Sequence, residues 1–297
     1  MAKENCHGRV QEHRHQVGLR PLTQQAAPSQ PIGVFDSGVG GLSVLKALYA
    51  ELPNERFVYV ADNAHAPYGE RDDSHVQARS HAITDYLVAQ HGIKALVVAC
   101  NTATAAAIRK LREAYPSLLI VGIEPALKPA AAQTRTGVVA VMATRSTLNS
   151  EKFKGLFDSL HHQVQFKLQP CDGLADAIER GDAARTEALC TTYTQALGPF
   201  GTQAGQADVL VLGCTHYPFV APLLEHLVGP ETPMLEGGIP VARQTRRLLQ
   251  DCGLLASPAT APQLPAHTYY STGDMALLQG ALARWLERDT GVGPLAV

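Results

Sequence analysis

The chain is short of the features that mark several common classes of protein. Its six cysteines, Cys6, Cys100, Cys171, Cys190, Cys214 and Cys252, contain no Cys-x-x-Cys pair and stand in a chain of 297 residues. They read as free thiols and not as the framework of a small disulfide scaffold. No apolar run is long enough to span a bilayer. The formal net charge is −2, so no excess of positive charge points to nucleic acid or to an anionic membrane. There is no Gly-x-Gly-x-x-Gly fingerprint and no GxxxxGK[ST] phosphate loop, and 38–41 (GVGG) is too compressed to count as the former. The first 30 residues lack the apolar centre of a signal peptide. The expected compartment is therefore the reducing cytoplasm.

What is present is an ordinary folded composition, 45% apolar and 18% charged, with enough chain for two domains. Residues 1–30 are polar and rich in His, Gln and Arg, and read as a mobile extension. His7, His13 and His15 within it have no Cys or carboxylate at ligand spacing, so no metal site is expected. From residue 31 onward, short apolar runs alternate with helical spacing. Runs at 31–35, 56–61, 95–99, 118–123, 137–142, 208–213 and 267–271 read as strands. This alternation predicts an α/β fold of mainly parallel sheets.

Two of those strands end alike. The segment 95–104 (ALVVACNTAT) runs from buried strand to Cys100. The segment 208–218 (DVLVLGCTHYP) does the same at Cys214. In each, the thiol is expected at a helix N-terminus, where the dipole and free N–H groups lower its pKa from about 8.5. Two thiols in matching contexts suit removal and return of a proton at one carbon, one base on each face, as racemisation of an amino acid requires. Their titrations would be coupled, one thiolate while the other is thiol. Asp36 ends the first strand and His216 lies two residues beyond Cys214, so each is placed to poise its nearer thiol. A dithiol redox enzyme, a cysteine hydrolase using Cys214 with His216, and a non-catalytic two-lobed ligand-binding protein are the alternatives. The last would not need the thiols.

The segments 31–43 (PIGVFDSGVGGLS), 61–69 (ADNAHAPYG), 98–104 (VACNTAT) and 212–218 (LGCTHYP) resemble, in order and spacing, the signature segments of the bacterial glutamate racemases. The related aspartate racemases, and racemases of other amino acids, share the two-cysteine plan, but Thr215-His216 favours glutamate. The resemblance implies two similar α/β domains related by a pseudo-twofold with the site between them. These are 31–124 plus 235–297, carrying Cys100, and 125–234, carrying Cys214. It implies cofactor-independent interconversion of L- and D-glutamate, supplying D-glutamate for peptidoglycan. By motif, Cys100 and Cys214 become the acid/base pair, with Asp36, His216 and Glu179 assisting. Ser37, Asn101, Thr102 and Thr215 would hold the α-carboxylate and amino groups, and Asp36 and His216 would also bind substrate. Tyr68 and Gly69 would hold the distal carboxylate, and Thr144 and Thr147 would line the pocket. Glu179 reads equally as a solvated helix acid. No Arg or Lys falls in these motifs, so helix N-termini are expected to bind the carboxylates. The resemblance also leaves room for an activator, UDP-N-acetylmuramyl-alanine, and for a homodimer.

Overall fold

Apolar runs without alternation make strands that are buried on both faces, the signature of parallel sheets covered by helices. A computed structural model describes residues 26–258 and 267–297 of the chain. The strands are β1 (Ile32–Asp36), β2 (Phe57–Ala61), β3 (Ala95–Val98), β4 (Leu119–Gly122), β5 (Val138–Ala143), β6 (Gln165–Pro170), β7 (Val209–Gly213), β8 (Met234–Leu235), β9 (Thr268–Ser271) and β10 (Gly293–Pro294). They form two sheets, of order β10-β9-β2-β1-β3-β4 and β6-β5-β7-β8, with every ladder parallel.

The order β2-β1-β3-β4 recurs as β6-β5-β7-β8. Thus β5 is the counterpart of β1, and β7 of β3. In each sheet the winding reverses between these two central strands, and ligands of open α/β sheets bind beside such a reversal, at the carboxyl ends of the strands. Register fixes what meets there. Phe35 lies opposite Val98, so Asp36 and Cys100 leave adjacent strands. Ala143 lies opposite Gly213, so Thr144 and Cys214 do the same in the second sheet.

Side chains alternate across each strand and so split into two cores per sheet. Ile32, Val34, Tyr59 and Val97 pack with the helices Leu42–Glu51, Gly238–Asp251 and Met275–Leu286. Phe35, Val58, Val60 and Leu96 pack on the other face against Asp73–His91 and Asn101–Ala114. In the second sheet Ala140, Met142 and Leu210 face Leu174–Arg180 and Ala183–Leu197, while Val139 and Val141 face Leu127–Gln133 and Glu151–Asp158. Phe219 and Trp285 stack with ring centroids 3.7 Å apart, which joins the segment after Cys214 to the last helix.

The expected α/β fold is present, with two departures. The edge strand β10 was not foreseen. Cys214 does not open an α-helix: a turn follows it, then a 3₁₀ segment Tyr217–Val220, and the α-helix starts only at Ala221. The extension expected at 1–30 lies, up to residue 25, outside the described residues. Among the described residues no helix is long and apolar enough to cross a membrane.

Candidate active site

Cys100 has extended backbone angles and caps the helix Asn101–Ala114. The Ala103 N–H donates to its sulfur at 3.4 Å. Its thiol donates to Ser37 Oγ at 3.9 Å, and the Ser37 hydroxyl donates to Asp36 Oδ1 at 3.1 Å. Asp36 therefore reaches this thiol through a serine. Its carboxylate also accepts the Gly38 N–H and, from the second sheet, the Thr215 hydroxyl, both at 2.8 Å. Ser43 Oγ donates to the Thr215 carbonyl at 2.8 Å, a second bond between the same two segments.

On the other side, Cys214 Sγ lies 3.7 Å from His216 Nδ1, and His216 Nε2 lies 2.6 Å from Glu179 Oε2. The Val39 N–H donates to the same carboxylate at 3.3 Å. Glu179 is thus not a solvated helix acid. A Cβ on Gly38 would overlap that carboxylate, and one on Gly40 would overlap the His216 ring. Only glycine lets the loop after β1 nest against the pair.

Both sulfurs face one cavity of about 330 Å³, lined also by Ser37, Tyr68, Gly69, Asn101, Thr102, Thr144, Glu179, Thr215 and His216. Cys100 and Cys214 are 6% and 7% exposed, so they reach the cavity while sheltered from bulk water. Two expected lining residues do not reach the wall. Asp36 is completely buried behind Ser37. Thr147 lines a separate small crevice with Glu124 and Phe153, and its hydroxyl accepts from Thr144 Oγ1 at 2.8 Å. Thr144 in turn lies 3.1 Å from Thr102 Oγ1, a hydroxyl pair between the sheets.

Electrostatics differ from the expectation at Cys100. Burial pushes its thiol up, and the Asp36 carboxylate adds to that, against the smaller opposing pull of the Ala103 N–H and Ser37. The helix N-terminus does not win. Burial also raises Asp36 to about 6, with His216, Gly38 and Thr215 pulling the other way. For His216 burial alone would lower the pKa, but its bonds to Cys214 and Glu179 raise it well above 6.5.

Several backbone donors of the cavity residues are neutral and unpaired. The N–H groups of Tyr68, Gly69, Asn101, Thr102, Thr215 and His216 have no acceptor among the described residues. The motif-based reading missed Arg145 and Arg180 at the cavity rim, but each is paired, with Asp172 at 2.5 Å and Asp176 at 2.7 Å. It also missed Asn63 and Cys171 in the lining. Asn63 sits inside a quoted motif and could have been found from it. Among the described residues no group of three or more His, Cys, Asp or Glu side chains is arranged to hold a metal ion.

A profile described as Asp/Glu/Hydantoin racemase matches residues 32–245. A glutamate racemase of Ectopseudomonas mendocina (strain ymp) is 51% identical over 255 residues, covering 85% of this chain and 93% of that protein. The crystal structure of glutamate racemase isoform RacE1 from Bacillus anthracis superposes with a TM-score of 0.79 at 31% identity, covering 90% of this chain and 98% of that one. The Escherichia coli glutamate racemase, solved in complex with L-glutamate and activator UDP-MurNAc-ala, gives 0.74 at 28% identity, covering 90% of this chain and 99% of that one. Paired cysteines at equivalent strand ends, a shared cavity and these similarities agree: the chain belongs to the Asp/Glu/Hydantoin racemase family.

Proposed function

We propose that the protein is a glutamate racemase that inverts Cα with two thiols and no cofactor. The observation that carries this reading is that Cys100 and Cys214, from two different sheets, face one cavity. In one direction the thiolate of one cysteine takes the Cα proton, and the thiol of the other gives its own proton to the opposite face. The reaction ends with the thiol and thiolate exchanged, so the reverse reaction starts from the mirrored state. Ser37 and Asp36 serve Cys100, and His216 and Glu179 serve Cys214. The electron density left at Cα is spread into the α-carboxylate, which donors of Asn101, Thr102, Thr215 and Ser37 hold ready before reaction. The N–H groups of Tyr68 and Gly69 take the side-chain carboxylate.

Acting on glutamate in the cytoplasm, the enzyme supplies the D-isomer for peptidoglycan. Residues 31–124 with 235–297, and 125–234, act as two lobes that part to admit substrate and close to exclude water. A chiral assay of L-glutamate and L-aspartate in D₂O, without pyridoxal phosphate, tests the reading. It requires D-glutamate with deuterium at Cα and at least about tenfold slower turnover of aspartate. Turnover only with added pyridoxal phosphate, or a preference for aspartate, refutes it. Adding UDP-N-acetylmuramyl-alanine to the same assay tests activation, which the Escherichia coli complex supports.

A further inference from the structure

Asp62 is a completely buried carboxylate that lies outside the cavity lining yet is bonded to Tyr68, a residue of that lining. Four donors converge on its two oxygens. Tyr68 Oη donates to Oδ2 at 2.5 Å and Thr272 Oγ1 to Oδ1 at 2.8 Å. The Arg79 guanidinium forks onto both, Nε to Oδ2 at 3.0 Å and Nη2 to Oδ1 at 2.9 Å. These donors come from three segments: the loop after β2, the helix Asp73–His91 and the end of β9. The loop is bound to the last of these twice more. Ala64 N–H donates to Thr272 Oγ1 at 3.2 Å, and Gly273 packs so tightly on Ala64 that an added Cβ would lie 2.8 Å from its nitrogen.

Tyr68 gives its only hydroxyl hydrogen to Asp62, so it has none to give a substrate. What it offers the cavity is position: Tyr68 and Gly69 both line it, and neither backbone N–H has an acceptor among the described residues. A backbone donor discriminates by where it stands, and a displacement of about 1 Å is enough to cost a large factor in turnover or affinity. A buried carboxylate satisfied by four donors is a stiff anchor, because losing any partner leaves an unmet buried group.

We propose that Asp62 is a positioning residue that acts through Tyr68 to fix the carboxylate-binding turn at Tyr68-Gly69. The inference rests on the proposed glutamate racemisation. Wild-type turnover of glutamate is the control, and its absence would overturn that function and this inference together.

The test is steady-state kinetics of the full chain with Asp62→Asn, Tyr68→Phe and the double variant. Asparagine keeps the shape but turns a donor toward Arg79 or Tyr68. Asp62→Asn should raise KM for glutamate at least about tenfold with kcat within about threefold, the mark of lost binding that is uniform along the reaction. Tyr68→Phe should raise KM in the same direction. The double variant should be no worse than Asp62→Asn alone, since both remove one contact. The proposal is overturned if Asp62→Asn lowers Tm but leaves KM within about twofold, or if the two effects multiply. Should Asp62→Asn fail to fold, Tyr68→Phe and Arg79→Lys decide: raised KM in both supports the role, and unchanged KM in either overturns it.

Discussion

Cys100 and Cys214 end equivalent strands of two sheets with the same strand order, yet their surroundings have diverged. Cys100 sits at a true helix N-terminus, and a serine hydroxyl stands between it and the Asp36 carboxylate. Cys214 sits in a turn, and an imidazole stands between it and the Glu179 carboxylate. Both are thiol–relay–carboxylate chains, one with a neutral relay and one with a relay that can take a charge. Two bases that exchange roles must be alike in what they do, and here that likeness is reached by unlike means. The carboxylates also cross over: Asp36 accepts from Thr215 of the Cys214 side, and Glu179 accepts from Val39 of the Cys100 side. Each relay is thus complete within its own sheet, and its carboxylate is held in addition by a donor from the other.

The largest effect expected is at the sulfurs. Cys100→Ser and Cys214→Ser should each reduce racemisation by about 10³-fold or more, since a hydroxyl is a far weaker acid/base at this site. Circular dichroism should stay near wild type, because serine replaces each sulfur with little change of shape. Each variant should keep a one-sided reaction, such as elimination from an amino acid with a good leaving group at Cβ, and the two should prefer opposite enantiomers. A single variant with full racemase activity would break the comparison outright.

Next comes the pH-dependent stability contributed by one carboxylate, Asp36. Burial holds the folded-state pKa of Asp36 up at about 6, above the reference value of 3.8. The protonated form is thus favoured by folding. Its contribution is complete below about pH 4 and is lost as pH rises through about 6, worth about 3 kcal/mol. Asp36→Asn cannot ionise. Between pH 4 and pH 7 its unfolding free energy, measured in urea, should gain on wild type by about that amount. A pH-independent difference would show that Asp36 is ionised in the fold at no cost.

The relays themselves should differ by about tenfold. His216→Asn removes a group whose charge is held by Cys214 and Glu179, and should lower kcat by about 10²-fold. Ser37→Ala removes a neutral hydroxyl 3.9 Å from its thiol, and should lower kcat by about tenfold. Equal losses would mean that the two sides are chemically equivalent despite their different residues.

How far these features could be read from sequence depends on how local they are. Strand ends are local: in β1, β3 and β7 an unbroken apolar run stops at a polar or thiol residue, so Asp36, Cys100 and Cys214 were legible. The relay partners are not local. Glu179 and His216 are 37 residues apart, and Thr215 and Asp36 are 179 apart, so no spacing rule pairs them. The helix expected at Cys214 failed for a different reason. Residues 217–228 carry one continuous apolar pattern, and periodicity does not show where 3₁₀ bonding around Pro218 gives way to α-helix at Ala221. The short β10, with two residues, offers no pattern to read. At Cys100 the motif suggested a lowered pKa because the dipole is visible in sequence, whereas the burial that outweighs it is not.

The smallest effect concerns the two threonines that follow β5. Thr144 and Thr147 both follow β5 and look interchangeable in sequence, but only Thr144 touches the cavity. Thr147 accepts the Thr144 hydroxyl hydrogen at 2.8 Å, while Thr144 Oγ1 accepts the Thr147 N–H at 3.3 Å, so each orients the other. Thr144 faces Thr102 at 3.1 Å, and its side chain packs on Gly69. Thr144→Ala should therefore raise KM for glutamate about fivefold, by freeing the turn at Gly69 and leaving Thr102 without its partner. Thr147→Ala should raise it no more than about twofold, because the Thr144 hydroxyl, released from Thr147, still pairs with Thr102 and only its rotamer freedom grows. Reversal of that order would place Thr147 in contact with the substrate and would mean that the cavity changes shape when it is filled.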